Sequence, residues 1–103
     1  MERAVERIRR EACAGLTADA VLQDFPCSRR MAEIRFRSIL GQSILKEIRR
    51  IRLETAQILL MRTPTLGMDA IASRCGYGSL SAFSTFFRHE TGLSPSAWRK
   101  GNI

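Results

Sequence analysis

Apolar side chains recur along most of the chain at spacings of three and four residues, which is the period of an α-helix. This pattern predicts seven helices and provides no convincing strand. The predicted helices span, in chain order, residues 2–13, 17–23, 28–40, 43–61, 68–75, 79–91 and 94–100. The fold class expected from the pattern is therefore all-α.

Two of these helices are related by a repeat of 51 residues. Each copy contains a serine, a phenylalanine followed by arginine, and then a glycine, at matching intervals. These positions are Ser28, Phe36, Arg37 and Gly41 in the first copy and Ser79, Phe87, Arg88 and Gly92 in the second. Such an order is typical of a helix that begins at a capping serine and ends at a left-handed glycine.

A shorter predicted helix precedes each copy. Thr17 is a suitable N-cap for the first short helix, and Gly76 suits the left-handed turn that would end the second. A short helix, a tight turn and a second helix form a helix-turn-helix unit. The chain is therefore predicted to contain two such units.

The segment between the copies predicts one long connecting helix. Ser43 can cap it, Thr63-Pro64 should end it, and its apolar positions at helical spacing are Ile44, Ile48, Ile51, Ile58 and Leu59. A helix of about 18 residues measures roughly 27 Å, close to the separation of about 34 Å between successive major grooves on one DNA face. We expect one domain over residues 1–103, with subdomains at 1–42 and 63–103 and a linker helix at 43–62.

Positive charge is concentrated in the middle of the chain. The 103 residues carry a formal net charge of +7, and residues 28–52 alone hold 8 basic and 2 acidic groups. The length limits the chain to one domain, and the lack of a long apolar run excludes a membrane span. Clustered arginine suits phosphate oxygens and guanine edges, so nucleic acid becomes a candidate partner.

The outward faces of the two repeated helices hold the candidate base-reading residues. We expect the buried faces to be formed by Ala32, Phe36 and Ile39 in one helix and by Phe83 and Phe87 in the other. The residues then left outward are Arg30, Glu33, Ile34 and Arg37, and Ser81, Ser84, Thr85 and Arg88. Arginine can bond guanine, glutamate can accept from cytosine, and isoleucine can pack on a thymine methyl group.

Two of these assignments have an alternative that the sequence leaves open. Glu33 can instead form an ion pair with Arg29 or Arg37 one helical turn away, and Ile34 can pack against the protein. The aromatic residues Phe36, Phe83, Phe86, Phe87 and Trp98 fall at helical spacing, which favours core packing over base stacking.

Candidate phosphate-binding residues lie at the helix starts and on the basic segment. They are Ser28, Arg29, Arg49, Arg50, Ser79 and Arg88. Helix N-termini and arginines both favour phosphate, although capping and solvation are the alternative roles.

Enzymatic chemistry has little support in the sequence. Cys13, Cys27 and Cys75 are widely spaced and are predicted to be reduced and mostly buried, and His89 has no partner at a motif spacing. We therefore expect no catalytic residue, no cofactor and no metal.

The second half of the chain closely resembles the signature of AraC/XylS-type transcriptional regulators. The matching residues are Ile71-Ala72, Cys75-Gly76-Tyr77, Ser79, Phe83, Phe87-Arg88, Thr91-Gly92-Leu93-Ser94-Pro95 and Trp98-Arg99. The first half is similar through Ser28-Arg29-Arg30, Arg35-Phe36-Arg37, Gly41 and Arg52-Leu53 to Ala56. The resemblance implies seven helices, two helix-turn-helix subdomains joined by a long helix, and base contacts at Arg30, Glu33, Ile34, Ser81 and Thr85.

The chain departs from the family pattern in its first half. Ala32 replaces a usual leucine, Ile34 replaces a common basic residue, and the turn Phe25-Pro26-Cys27 lacks the usual glycine, so that turn should be built differently. The Ser-Arg-Arg and Ser-Ile-Leu-Lys-Glu-Ile stretches resemble xylose-type regulators. Such regulators carry a separate effector-sensing domain, which we expect to lie outside this chain.

The leading functional hypothesis is sequence-specific binding of double-stranded DNA by the DNA-binding domain of a bacterial transcriptional regulator. RNA polymerase is a further expected partner, and the expected location is the cytoplasm, at the nucleoid. The start of the chain, MERAVERIRREAC, lacks the apolar core of a signal peptide. The alternative hypothesis is a basic helical module that docks an acidic protein of the transcription machinery.

Overall fold

The computed structural model describes residues 2–101 and consists of seven α-helices and one short 3₁₀ turn, Ala12–Ala14. The helices are α1 Glu2–Glu11, α2 Ala18–Leu22, α3 Arg29–Leu40, α4 Ile44–Arg62, α5 Met68–Arg74, α6 Leu80–Thr91 and α7 Pro95–Gly101. No strand occurs in this range. The predicted all-α class, the seven helices and the long connecting helix are confirmed.

The chain divides into two compact units at the boundary between Ile51 and Arg52. The first unit contains the helix-turn-helix pair of α2 and α3, and the second contains the pair of α5 and α6. The boundary falls inside α4, so each unit includes part of that helix.

The core of the first unit is formed by α1 to α3 and the start of α4. Its buried residues are Ile8, Ala12, Leu16, Val21, Leu22, Ala32, Phe36, Ile44 and Ile48. The ring of Phe25, in the turn before α3, meets Phe36 edge to face with ring centroids 6.2 Å apart. One face of α3, with Ala32 and Phe36, therefore packs against this core, and the opposite face of the helix points outward.

The core of the second unit is aromatic. Its buried residues are Ala56, Leu60, Ile71, Ala72, Cys75, Phe83 and Phe87. Phe87 contacts Phe83 at 5.8 Å and Trp98 at 5.7 Å between ring centroids, and Phe86 stacks on Tyr77 at 4.8 Å. The prediction that the aromatic residues pack in cores is confirmed.

Both repeated helices have the predicted caps. The hydroxyl of Ser28 accepts the amide N–H of Met31 at 3.3 Å, and the hydroxyl of Ser79 accepts that of Ala82 at 3.1 Å. The helices end at Gly41 and Gly92, with φ of +77° and +81°. Thr17 caps α2, Ser43 caps the start of α4 and Ser94 caps α7 in the same way, as predicted.

The turns before α3 and α6 differ, as the missing glycine indicated. In the second unit the chain leaves α5 through Gly76, whose φ is +93°. The corresponding residue of the first unit is Phe25, and no residue other than glycine has a positive φ within residues 2–101. The first turn therefore avoids the left-handed conformation. Its Phe25 amide donates to the Leu22 carbonyl oxygen at 3.2 Å.

One expectation about burial is wrong, and one apolar position at helical spacing is exposed. Ile39 is 58% exposed, because α3 buries Ala32 and Phe36 at a spacing of four and continues this stripe to the partly buried Leu40. Ile58 is 45% exposed, because α4 buries Ala56 and Leu60, which lie on the other side of the helix.

The three cysteines differ in burial. Cys75 is buried in the second core, whereas Cys13 and Cys27 are only partly buried, because both sit at the margins of the first core. All three are free thiols.

The C-terminal end of α4 is held by α7 within the second unit. The Arg99 guanidinium donates from Nε to the Leu60 carbonyl oxygen at 2.9 Å and from Nη2 to that of Thr63 at 3.3 Å. Carbonyl groups in the last turn of a helix lack partners within the helix, and a cation there also complements the helix dipole. Arg99 therefore fixes the point at which the chain leaves α4.

Candidate nucleic-acid interface

The outward face of α3 presents the residues predicted to read bases in the first unit. Arg30, Glu33, Ile34 and Arg37 are all exposed, while Ala32 and Phe36 are fully buried. Ile34 precedes Phe36 by two residues and follows Ala32 by two, so it points about 160° away from both. Its side chain is 51% exposed and is not part of the core of the first unit.

The outward face of α6 is built in the same way. Ser81, Thr85 and Arg88 are exposed and Ser84 is partly exposed, whereas Phe83 and Phe87 are fully buried. Thr85 lies between the two phenylalanines, as Ile34 lies between Ala32 and Phe36. The repeat of 51 residues thus places Ile34 and Thr85 at equivalent central positions.

The arginines of α3 differ in their partners. Arg29 binds the carboxylate of Asp19 in α2 at 2.6 Å, and its Nε lies 4.0 Å from Glu33. Within residues 2–101, neither Arg30 nor Arg37 forms an ion pair. The outward face of α3 therefore keeps two cations available for a partner, while Arg29 links the two helices of the helix-turn-helix.

The position of Glu33 is compatible with both of its predicted roles, base contact and ion pair. The distance of 4.0 Å to Arg29 is at the limit of an ion pair, and the Glu33 side chain is 48% exposed. An exposed pair of this kind contributes little to stability. Its carboxylate thus remains accessible to a donor from outside.

A buried carboxylate engages one of the predicted phosphate-binding arginines. Glu47, in the first turn of α4, is 6% exposed and accepts from Arg50 Nε at 3.0 Å and Nη2 at 2.5 Å. Gln42 donates to the other carboxylate oxygen at 2.7 Å. The bond from Arg50 lowers the pKa of Glu47 below its ordinary value, more than burial raises it, and Arg9 adds to the lowering.

The two neighbouring arginines, Arg49 and Arg50, therefore have different environments. Arg50 is half-exposed but bound to Glu47, so its charge is largely neutralised locally. Arg49 is exposed. The sequence does not distinguish the two arginines, because nothing in it indicates that Glu47 is buried.

The hydroxyls of Ser28 and Ser79 serve as ordinary N-caps, with their acceptor lone pairs directed to the helix amides. Both serines are exposed at the start of an outward-facing helix. Their backbone amides therefore lie where a helix N-terminus favours an anion.

Comparison with known proteins identifies the family of this chain. A family described as "Helix-turn-helix domain" matches residues 21–101. The chain belongs to the AraC-type helix-turn-helix family. It is thus an AraC-type DNA-binding domain of the kind found in transcriptional regulators, a family that is not enzymatic.

Individual members of the family agree with this assignment. The chain is 37% identical over 81 residues to the HTH-type transcriptional activator RhaR of Salmonella newport, covering 79% of this chain and 28% of that activator. The structure of the xylose-binding transcription activator XylR matches 95% of this chain and 26% of its own, with 36% identity and a TM-score of 0.75. The DNA-binding domain of AdpA, solved with a target DNA, matches 97% and 89%, with 29% identity and a TM-score of 0.85.

The chain spans about a quarter of the length of the regulators RhaR and XylR. The similarity to XylR agrees with the resemblance to xylose-type regulators that the sequence suggested. The AraC-type domain of this chain therefore corresponds to one portion of such regulators.

Two structural features of this AraC-type domain escaped the sequence reasoning. Asp19 anchors Arg29 across the turn, and the Arg52 guanidinium lies over the Tyr77 ring, 5.2 Å from its centroid. Both pairs join residues of different elements at intervals that follow no helical period. No signal in a single sequence could have identified them.

The described part of the chain, residues 2–101, contains no group of three or more His, Cys, Asp or Glu side chains able to hold a metal ion. His89 is exposed on α6, and its Nδ1 lies 3.8 Å from Oε1 of Glu90. None of the helices in the same range is long and apolar enough to cross a membrane.

Proposed function

We propose that this domain recognises double-stranded DNA by inserting α3 and α6 into two adjacent major grooves. The observation that carries the proposal is the outward face of α3, where Arg30 and Arg37 are exposed and, within residues 2–101, without an ion-pair partner. The equivalent face of α6 supports it. A helix that enters the major groove needs such a polar face opposite its buried stripe.

Phosphate contacts supply most of the affinity in this proposal. The candidates that remain exposed and available are Arg49 and Arg88, together with the N-termini of α3 and α6. Each neutralised phosphate releases condensed counterions, so binding weakens as salt rises. Base contacts from Arg30, Glu33, Ile34, Arg37, Ser81, Ser84 and Thr85 then supply the discrimination.

The intact protein is proposed to be a longer transcription activator. RhaR and XylR are both named as activators, and this chain covers only 28% of RhaR and 26% of XylR. We infer that an effector-sensing domain lies elsewhere in the full protein and that RNA polymerase is a second partner. The protein would then act at the nucleoid, in the bacterial cytoplasm. Reconstituted transcription with purified polymerase tests the second partner.

A binding assay with duplexes selected by the chain itself tests the proposal. Random duplexes are enriched on the 103-residue chain, and the selected duplex is compared with a shuffled version at about 0.15 M salt. We expect the selected duplex to bind at least about a hundredfold more tightly. A double variant, Arg30→Ala with Thr85→Ala, is the control and should reduce this ratio while remaining folded by circular dichroism.

Failure to enrich any sequence, with equal binding of selected and shuffled duplexes, would contradict the proposal. Retention of an acidic protein without selective retention of DNA would instead support the protein-docking alternative.

A further inference from the structure

Ile34 is an apolar side chain at the centre of the outward face of α3, between two exposed arginines. It lies about 160° from both Ala32 and Phe36 around the helix and is 51% exposed. Its neighbours on this face are Arg30 and Arg37, one helical turn before it and one after. Ile34 is not part of the core of the first unit, so the exposed half of its apolar surface is available to a partner.

The major groove offers a branched apolar side chain one kind of apolar group. Base edges there present hydrogen-bond donors and acceptors, and the only apolar substituent is the methyl group at C5 of thymine. The same methyl group is present on 5-methylcytosine. Arginines beside Ile34 would fix the register on phosphates or guanines and so bring the isoleucine onto one base pair.

We infer that Ile34 makes the first unit read the C5-methyl group of a pyrimidine at one position of its site. The inference rests on the proposed function and extends it, because it names the chemical group that α3 selects. It also distinguishes the two units. The equivalent residue Thr85 carries a hydroxyl beside its methyl group and lies among Ser84, Arg88 and His89, which are polar.

A methyl scan of the selected duplex tests the inference. Each thymine is replaced in turn by uracil, which removes the methyl group and leaves every hydrogen-bonding group of the base in place. At one position we expect the affinity of the wild-type chain to fall by about threefold to fivefold, as for the loss of one buried methyl group. The Ile34→Ala variant should bind the thymine and uracil duplexes at that position equally.

A second substitution checks that the methyl group itself is read. At the sensitive position, the thymine–adenine pair is replaced by cytosine–guanine or by 5-methylcytosine–guanine. The wild-type chain should prefer the methylated pair by a similar factor, and Ile34→Ala should not.

Ile39 provides a matched control on the same helix. It is an isoleucine with 58% exposure, but it lies about 140° away from Ile34 around α3. The Ile39→Ala variant should keep the full sensitivity to uracil. Because both isoleucines are exposed, neither variant is expected to unfold the unit.

The outcomes separate this inference from the proposed function. If the chain selects no sequence, the proposed function itself fails. If it binds selectively but no thymine is sensitive to uracil, or if the sensitivity persists in Ile34→Ala, the inference alone is overturned. Loss of the sensitivity in Ile39→Ala but not in Ile34→Ala would likewise overturn it.

Discussion

Arg50 donates two hydrogen bonds to one carboxylate oxygen of the buried Glu47, at 3.0 and 2.5 Å. Both residues lie near the start of α4, within the basic segment of residues 28–52. This contact separates the structural role of Arg50 from the DNA-binding role that the sequence suggested for it. Arg49, next to it in the sequence, keeps an exposed side chain.

The Glu47 carboxylate should make the stability of the first unit depend on acid pH. Its folded-state pKa is lowered below 4.5, chiefly by Arg50, so its contribution is present above pH 4.5 and is lost as the pH falls through the folded pKa. The Glu47→Gln variant should lose about 1–3 kcal/mol of unfolding free energy at pH 7, and this loss should shrink at pH 3. Urea unfolding at the two pH values measures the difference.

The exposed Glu6 of α1 is the control, since Glu6→Gln should leave stability nearly unchanged at both pH values. A loss in Glu47→Gln that stays constant from pH 7 to pH 3 would refute this role of the carboxylate.

Arg49 should contribute to binding through phosphate alone. The Arg49→Ala variant should weaken binding to selected and shuffled duplexes by the same factor and reduce the slope of log K against log salt by about one unit. Titrations at several salt concentrations measure both effects. Arg10→Ala is the control, because Arg10 lies on α1 beside Glu11 at 3.4 Å and should leave the slope unchanged. A loss confined to the selected duplex would show that Arg49 reads bases instead.

Glu33 should influence the choice of one base. Its carboxylate can only accept hydrogen bonds, whereas glutamine both donates and accepts, so Glu33→Gln should shift the preference at one position from cytosine toward adenine. Selection from a random pool measures the shift. Asp19→Asn, which removes the partner of Arg29, is the comparison and should leave that position unchanged. An identical binding profile for Glu33→Gln and wild type would favour the ion pair with Arg29 as the role of Glu33.

The end of α6 should depend on the left-handed conformation of Gly92. Its φ is +81°, and a Cβ added there would meet nothing within 4 Å, so the cost of Gly92→Ala is conformational. We expect a loss of about 1–2 kcal/mol of unfolding free energy by thermal or urea denaturation. Gly78→Ala is the matched control, because Gly78 has the same open space without the positive φ. Equal effects of the two variants would contradict this explanation.

The helices and their ends could be predicted from the sequence because the signals are local. A capping serine, a buried pair four residues apart and a terminal glycine all lie within about three helical turns, and the 51-residue repeat shows them twice. The outward residues followed from the same period. Exposure of Arg30, Ile34 and Thr85 was therefore anticipated correctly.

The features that the sequence did not reveal depend on tertiary contacts. Ile39 fits a helical period but lies just beside the buried stripe of α3, whereas Ile58 lies opposite the buried Ala56 and Leu60 on α4. Only the packing of neighbouring helices decides which apolar position is covered. The bond between Asp19 and Arg29 joins two elements, α2 and α3. Such contacts follow no spacing that one chain can display.

In the proposed binding mode, α3 and α6 each read their own segment of one DNA site. The most direct measurement is the base-by-base binding profile of the wild-type chain, obtained by selection from random duplexes, beside those of Arg30→Ala and Thr85→Ala. We predict two informative blocks with centres about 10 base pairs apart, with Arg30→Ala erasing positions in one block and Thr85→Ala in the other. A single block that both variants alter together, or a profile that neither variant changes, would contradict this binding mode.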